Sequence, residues 1–353
     1  MKETNNVVFC RDIRTAIADF FETHHFSKIA VLVDDNTKKY CYPMVQVAFP
    51  NHVVIEINSG EEHKNLDTCQ HIWNQLTNNA FDRKSLIINL GGGVIGDMGG
   101  FCAATYKRGI DFINIPTTLL AQVDASIGGK LGIDFHNFKN HIGVFQNPLR
   151  VFLDDGFFAT LAPAELRSGY AEVIKHCLIR DADKFEKIVN TPYEQLDFFE
   201  LSQHSVAIKE KVVLEDPTEK GWRKILNFGH TIGHAIESFY LEKPGKKLLH
   251  GEAIAIGMIC EAYLSHTKLN LTKIELDSIT DYIMKIYVCQ AIAESDIKQI
   301  VLLTRQDKKN EGDKIKCTLL KQIGDCTYNV EIDQQDIADA IDYANKRINA
   351  YTK

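Results

Sequence analysis

A chain of 353 residues is long enough for two or three domains and a sizeable apolar core. Apolar residues make up 45% and charged residues 25%, an ordinary globular balance, and the formal net charge of −7 argues against nucleic acid as a partner, since phosphate contacts need a basic surface. A small anion held by local Lys and Arg remains compatible with that charge. The nine cysteines, at positions 10, 41, 69, 102, 177, 260, 289, 317 and 326, contain no CxxC pair, and their odd number fits no disulfide framework. Reduced thiols in the cytoplasm are the expectation. MKETNNVVFC lacks the apolar core of a signal peptide, and no run reaches the roughly 18 apolar residues of a membrane span, so no membrane partner is expected.

In chain order, the short apolar runs Ile29 to Val33, Val53 to Ile57, Leu86 to Leu90 and Phe112 to Ile115 are separated by helical or turn-rich stretches, the pattern of an α/β domain with a largely parallel sheet. After Pro148 and the strand-like Val151 to Leu153 the character changes. Ala164 to Ile179, Leu201 to Leu214, Arg223 to Tyr240 and Gly251 to His266 read as long helices of a mainly helical second domain. Within it, Cys317 to Leu320 and Thr327 to Ile332 flank the turn Ile323-Gly324-Asp325 and predict one hairpin, followed by a helix from Gln334 to Ala350. The expected boundary divides residues 1–155 from 156–353.

Leu86 to Leu90 feeds into Gly91-Gly92-Gly93-Val94-Ile95-Gly96-Asp97, where Gly91, Gly93 and Gly96 satisfy GxGxxG after a strand. The context suits a dinucleotide, whose pyrophosphate would meet backbone N–H groups at a helix start. A plain strand-to-helix turn explains it equally well, because the loop is not on the first strand and no acidic residue clearly ends the next one. Further on, Asp124, Lys130, Lys139 and Asn140 surround Gly128-Gly129-Lys130, which is not a P-loop: Asp124 and Leu131 stand where that motif needs Gly and Ser or Thr. The segment suits hydroxyls and anions, or is an ordinary loop of mixed charge.

Glu172, Lys175 and His176 lie among apolar neighbours, which favours burial over a solvated ion pair and makes Glu172 a candidate oxygen ligand for a metal. Arg223, Asn227, His230 and His234 are four, three and four residues apart, which places them on one face of the expected helix. A metal or an anionic substrate would compensate such a stripe; a chance histidine pair or a solvated face is the alternative. Gly229 and Gly233 interrupt the stripe at about 1 kcal/mol each relative to Ala, which suggests close approach to the backbone. His250, in His-Gly-Glu, is a third candidate histidine.

The stretches at 91–97, Pro-Thr-Thr-Leu-Leu at 116–120, Val-Asp-Ala-Ser-Ile-Gly-Gly-Lys at 123–130, Ala-Glu-Val-Ile-Lys at 171–175, Leu-Asn-Phe-Gly-His-Thr-Ile-Gly-His-Ala at 226–235 and His-Gly-Glu at 250–252 closely resemble the 3-dehydroquinate synthase family over nearly the whole chain. The resemblance implies an N-terminal Rossmann-like NAD-binding α/β domain, a mainly α-helical C-terminal metal-binding domain and a homodimer. It implies zinc, with cobalt as an alternative, on Glu172, His230 and His250, and moves His234 to the substrate. Substrate contacts carried over are Asp124, Lys130, Asn140, Lys175, Lys209, Arg223, Asn227, His234 and Lys308 of Asp-Lys-Lys-Asn, with Arg108 serving a neighbouring subunit. Cofactor contacts are Asp35, Glu61, Lys64, Gly92, Gly93, Val94, Asp97, Thr117, Thr118, Lys139 and Thr160. Thr37, Leu131, Asn137 and Phe138 depart from the family pattern.

The implied reaction belongs to the shikimate pathway and converts 3-deoxy-D-arabino-heptulosonate 7-phosphate to 3-dehydroquinate and phosphate by transient oxidation, elimination, re-reduction, ring opening and aldol closure. The substrate phosphate serves as base in the elimination. Competing readings are a cyclase acting on a substrate without a carboxylate, against which Arg223 and Lys209 argue, a metal-dependent NAD polyol dehydrogenase, and an inactive interaction protein.

Overall fold

The computed structural model describes residues 6–136, 138–241, 243, 245, 247–304 and 315–351. The chain forms two compact units, Met1–Leu166 with Phe198–Val206, and Arg167–Asp197 with Ala207–Lys353.

The first unit carries β1 (Val7–Phe9), β2 (Ile29–Asp34), β3 (Val53–Ile57), β4 (Leu86–Gly91), β5 (Asp111–Pro116), β6 (Lys130–Phe135), β7 (Phe138–Phe145) and β8 (Val151–Leu153). Six of them form one sheet in the order β1-β8-β5-β4-β2-β3, every neighbouring pair parallel. Strands buried on both faces need apolar residues at successive positions, which is why the β4 run shows no alternation: all of it is buried. Ala30, Leu32 and Ile87 face a core shared with Ile72 and Leu76 of α4 (Leu66–Asn78) and Met98 and Phe101 of α5 (Gly93–Thr105). Val31, Val33, Ile88 and Leu90 face a second core with Ile13, Ile17 and Phe20 of α1 (Ile13–Thr23). From β2 the chain steps outward to β3, then returns to the other side of β2 with β4. The carboxyl ends of β2 and β4 therefore flank a topological switch point, where ligands of open α/β sheets bind.

β6 and β7 pair as an antiparallel hairpin that the sequence did not reveal. Leu131 and Ile133 alternate inward to the α4 and α5 core, so the stretch read as a mixed-charge loop is anchored by two apolar side chains. Leu131, a departure from the family pattern, lies against Gly100.

The second unit contains most of α6 (Pro163–Arg180), α7 (Ala182–Val189), the later part of α8 (Phe198–Glu215), α9 (His230–Leu241), α10 (His250–Leu269), α11 (Lys273–Ile286), α12 (Glu294–Thr304) and α13 (Gln334–Tyr351), with the expected hairpin as β9 (Ile315–Gln322) and β10 (Asp325–Ile332). α10 is buried on nearly every side, as an apolar helix without a polar stripe must be, and so forms the unit's centre. α13 lays Ile337, Ala340, Ile341, Ala344 and Ile348 inward, the spacing of one helical stripe. Among the described residues no helix is long and apolar enough to cross a membrane.

The helix expected over Arg223 to Tyr240 is two elements. Trp222–Asn227 is a short 3-10 turn, Phe228 leaves helical geometry at φ −58° and ψ 130°, and α9 starts at His230. Gly229 at φ +79° makes the break, a backbone region that favours glycine. Its neighbours leave no choice: a Cβ there would sit 2.5 Å from Met258 Cγ, and one on Gly257 would sit 2.0 Å from the Gly229 carbonyl oxygen. The close approach signalled by the glycines is that of α10 to the start of α9.

Candidate active site

In the first unit, β4 ends at Gly91, Gly92 precedes α5, and Gly93 is its first residue. The backbone amides at this helix start carry the partial positive charge that attracts phosphate. A Cβ on Gly92 would lie 3.3 Å from Thr118 Cγ2, and Thr117 N–H donates to the Gly91 carbonyl at 3.0 Å, so the turn after β4 and the segment that follows β5 lie against each other. Gly96 has open space around it, whereas a Cβ on Gly99 would strike Asn89 Oδ1 at 2.0 Å. Close helix-to-strand packing, expected of the third glycine in GxGxxG, thus falls to Gly99 and leaves Gly96 facing the open side. Val94 follows in the first turn of α5.

Lys64 is the buried cation of this region, 3% exposed. Its Nζ donates at 2.6 Å to both Asp97 Oδ2 and Asn140 Oδ1. Burial opposes the charge, but Asp97 and Glu61 outweigh it and raise the ammonium pKa. Lys139 Nζ lies 3.7 Å from Glu61 Oε1. Glu61, Lys64, Asp97 and Lys139 are therefore gathered, together with Asn140, which the family resemblance gives to the substrate. At the end of β2, Asp34 and Thr37 cap α2 (Asp35–Tyr40) reciprocally, with Asp34 Oδ1 accepting from Thr37 N–H at 2.7 Å. Thr37 thus has a structural task where the family pattern differs. Asp35 Oδ1 accepts the Ser59 N–H at 3.0 Å, and Thr160 approaches Thr117 through the Cys41 thiol. Asp124 sits in a π-helical turn, Ala121–Ala125, closed by the Ser126 N–H to Ala121 carbonyl bond, and Lys130 opens β6. Arg108 is exposed at φ +67° in the turn after α5. Asn137 and Lys308 lie outside the described residues, as does the side chain of Phe138.

In the second unit Glu172, His230 and His250 converge, each with a ligand-type atom within 4.8 Å of the others. Glu172 comes from the middle of α6 with 0% exposure, while the histidines open α9 and α10. His230 Nε2 lies 3.3 Å and His250 Nε2 3.7 Å from Glu172 Oε1. Each ring is held from behind: His230 Nδ1 is 3.0 Å from the Phe228 carbonyl oxygen, and His250 Nδ1 is 3.3 Å from Glu237 Oε2. A carbonyl only accepts, so the His230 proton resides on Nδ1 and its Nε2 lone pair faces the carboxylate. Two lone pairs facing in a buried site need a cation between them, and Glu172 Oε1 has no aligned hydrogen bond. Two imidazole nitrogens and one carboxylate oxygen fit a catalytic divalent ion of the zinc type, which keeps a coordination position open.

The electrostatics agree. Burial raises the Glu172 carboxyl pKa, but the adjacent Lys175 outweighs it and holds the group ionised. Lys175 Nζ donates to Glu172 Oε2, which leaves Oε1 for the centre. Burial and then Lys175 lower His230, keeping it neutral as a ligand must be. Burial also disfavours the charged form of His250, yet Glu237 and Glu172 raise it to about 10, so a bound cation would displace a proton there. His234, one turn beyond His230, has its ring centroid 4.9 Å from the His230 ring and 5.9 Å from that of His250.

Beside this centre in sequence, Asp216 gathers a loop by accepting from the N–H groups of Lys220 (3.0 Å), Gly221 (2.7 Å) and Arg223 (3.1 Å). Arg223 is 1% exposed and donates from Nη1 to the Pro217 carbonyl at 2.8 Å. Asn227 Nδ2 donates to Glu219 Oε1 at 2.8 Å, and Glu219 adopts φ +59°. Lys209, in α8, is also buried. Sequence reasoning missed Asp216, Glu219 and Glu237. Only Glu237 left a signal, being seven residues, two helical turns, after His230.

The fold of this chain is shared with sugar-phosphate cyclases and dehydrogenases of known structure. The 2-epi-5-epi-valiolone synthase ValA from Streptomyces hygroscopicus subsp. jinggangensis 5008, solved with NAD+ and Zn2+, has this fold at TM-score 0.87 and 24% identity over 98% of each chain. A 2-deoxy-scyllo-inosose synthase solved with carbaglucose-6-phosphate, NAD+ and Co2+ gives 0.82 and 25% over 95% of each chain, and the glycerol dehydrogenase of Schizosaccharomyces pombe gives 0.66 and 15% over 98% of this chain and 90% of its own.

The family descriptions "3-dehydroquinate synthase N-terminal" and "3-dehydroquinate synthase C-terminal" match residues 54–168 and 169–310. The 3-dehydroquinate synthase of Parabacteroides distasonis is 42% identical over 96% of this chain and 97% of its own, and that of Campylobacter jejuni subsp. jejuni 40% over 80% and 82%. The chain belongs to the 3-dehydroquinate synthase family and is an enzyme of the lyase class.

Proposed function

We propose that this chain converts 3-deoxy-D-arabino-heptulosonate 7-phosphate to 3-dehydroquinate and phosphate without net redox change. The observation that carries the proposal is the Glu172-His230-His250 centre, with both rings oriented from behind, in a chain whose first unit has a phosphate-type glycine turn. When bound, NAD+ would supply a transient hydride acceptor, and a divalent ion, zinc or cobalt, held by Glu172, His230 and His250 would supply Lewis acidity toward substrate hydroxyls.

The chain's own residues bind and orient. Gly92, Gly93 and Val94 present α5 to the pyrophosphate, and Asp35, Glu61, Lys64, Asp97, Lys139, Thr117, Thr118 and Thr160 complete the cofactor set. Arg223, Lys130 and Lys209 hold the substrate carboxylate, and Asn140, Asn227 and Lys308, with Arg108 of the partner subunit, hold its phosphate. Asp124, Lys175 and His234 address the hydroxyls. The phosphate, whose second pKa is near ~6, is itself a suitable base for the elimination, so the site needs no dedicated carboxylate for that proton. The use of Arg108 across subunits calls for a homodimer. The free state of all nine cysteines supports a reducing, cytoplasmic setting.

Phosphate release from the sugar acid by metal-loaded protein with NAD+, with no build-up of free NADH, lost on chelation and regained with Zn2+, is the expected result. No release under those conditions, or stoichiometric NADH from a simple polyol, would overturn it in favour of a dehydrogenase. His250→Ala is expected to purify without metal, as elemental analysis would show.

A further inference from the structure

Glu261 lies in the third turn of α10 beyond His250, with 0% exposure, and takes no part in the chemistry described above. A buried carboxylate is costly unless its oxygens are met by donors. Here Oε2 accepts the Gly229 N–H at 2.6 Å and Oε1 the Ile232 N–H at 3.1 Å. These are backbone amides at the start of α9, two of the donors that a helix start leaves without intrahelical partners. The usual remedy is a capping side chain from the preceding residue; this helix is capped from another helix.

The capped segment includes His230. Phe228 supplies the carbonyl that orients the His230 ring, Gly229 makes the turn, and Ile232 lies two residues beyond. The same segment is pressed onto α10, because neither Gly229 nor Gly257 has room for a Cβ. Glu261 therefore fixes where the α9 backbone begins relative to α10, the helix that carries His250. We infer that Glu261 is a positioning residue for the metal centre, setting His230 against His250 through the backbone of 228–232 without touching the ion. This rests on the metal reading of Glu172, His230 and His250.

Glu261→Gln keeps the shape but replaces one acceptor oxygen with an NH2 that faces a backbone N–H. Glu261→Asp keeps both acceptors on a side chain one methylene shorter. Full-length wild type and both variants would be titrated with Zn2+ against a chromophoric chelator, with the visible spectrum of the Co2+ form recorded alongside. Loss of Zn2+ affinity by 10- to 100-fold, the range typical of outer-shell changes, with an altered Co2+ spectrum and unchanged NAD+ affinity is expected for Gln, and a smaller loss for Asp. Zn2+ affinity within twofold of wild type in a folded variant, with only the melting temperature lowered, would overturn the proposal by reducing Glu261 to a stabilising cap. If Gln does not fold, Asp decides by the same criterion; if neither folds, a positioning role separable from folding is refuted. A wild type whose Zn2+ affinity is unaffected by His250→Ala would instead overturn the metal reading itself.

Discussion

At the scale of single residues, burial makes charge decisive. Arg223 is held with 1% exposure by a carbonyl and a loop whose backbone Asp216 has already fixed, so in its proposed carboxylate role the guanidinium would be ordered before the anion arrives. A charge-assisted hydrogen bond is worth about 1.5–3 kcal/mol. Arg223→Ala is therefore expected to raise KM for the sugar acid roughly 10- to 150-fold, with near-wild-type circular dichroism. Unchanged kinetics would remove Arg223 from the substrate. The metal ligands show where sequence reading succeeds and where it stops. Residue-level reading offered Glu172 as an oxygen ligand and His250 as a third histidine, and helical spacing paired His230 with His234; the family resemblance grouped Glu172 and His250 with His230 and set His234 apart, and the structure brings those three together within 4.8 Å. Glu261 was invisible because it serves backbone atoms 29 and 32 residues away, and backbone amides leave no trace in a side-chain pattern.

At the scale of elements, long apolar runs were legible and short conformational events were not. β3, β8 and the closing helix followed from composition and period, as did the change from strands to helices. The break before α9 was hidden because Arg223 to Tyr240 keeps a helical period while Gly229 quietly leaves it. Gly257→Ala tests the contact that enforces this break. Overpacking commonly costs about 1–3 kcal/mol, and a Cβ 2.0 Å from a carbonyl oxygen belongs at the upper end, readable as a shifted urea midpoint. The Asp216 loop makes a pH prediction. What burial it has raises its carboxyl pKa, but the N–H groups of Gly221, Arg223 and Lys220 outweigh it, and the net shift is downward. A depressed carboxyl stabilises the fold above its unfolded pKa, near ~3.9, and loses that contribution as pH falls through the folded value. Wild type is thus expected to melt above Asp216→Asn at neutral pH, with the gap closing in acid below about pH 4. A gap independent of pH would show that the charge contributes nothing.

At the scale of the whole molecule, the proposed sharing of Arg108 between subunits is the feature with the most distant consequence. Arg108→Ala and Lys130→Ala, each inactive alone, are expected to recover partial activity when mixed and allowed to exchange. Mixed dimers verified by mass that stay inactive would argue against sharing.

The three proposed ligands also stand at 172, 230 and 250, on three different helices, so no short stretch of unfolded chain reproduces the set. A cation that recognises only the folded arrangement adds RT ln(1 + [M]/Kd) to its free energy, about 2.7 kcal/mol at a hundredfold excess over Kd. With the proposed centre loaded, metal supply would then govern the lifetime of the protein as well as its turnover. On the proposed metal reading, a cell starved of that cation would lose the polypeptide to proteases sooner than its apo activity alone would suggest.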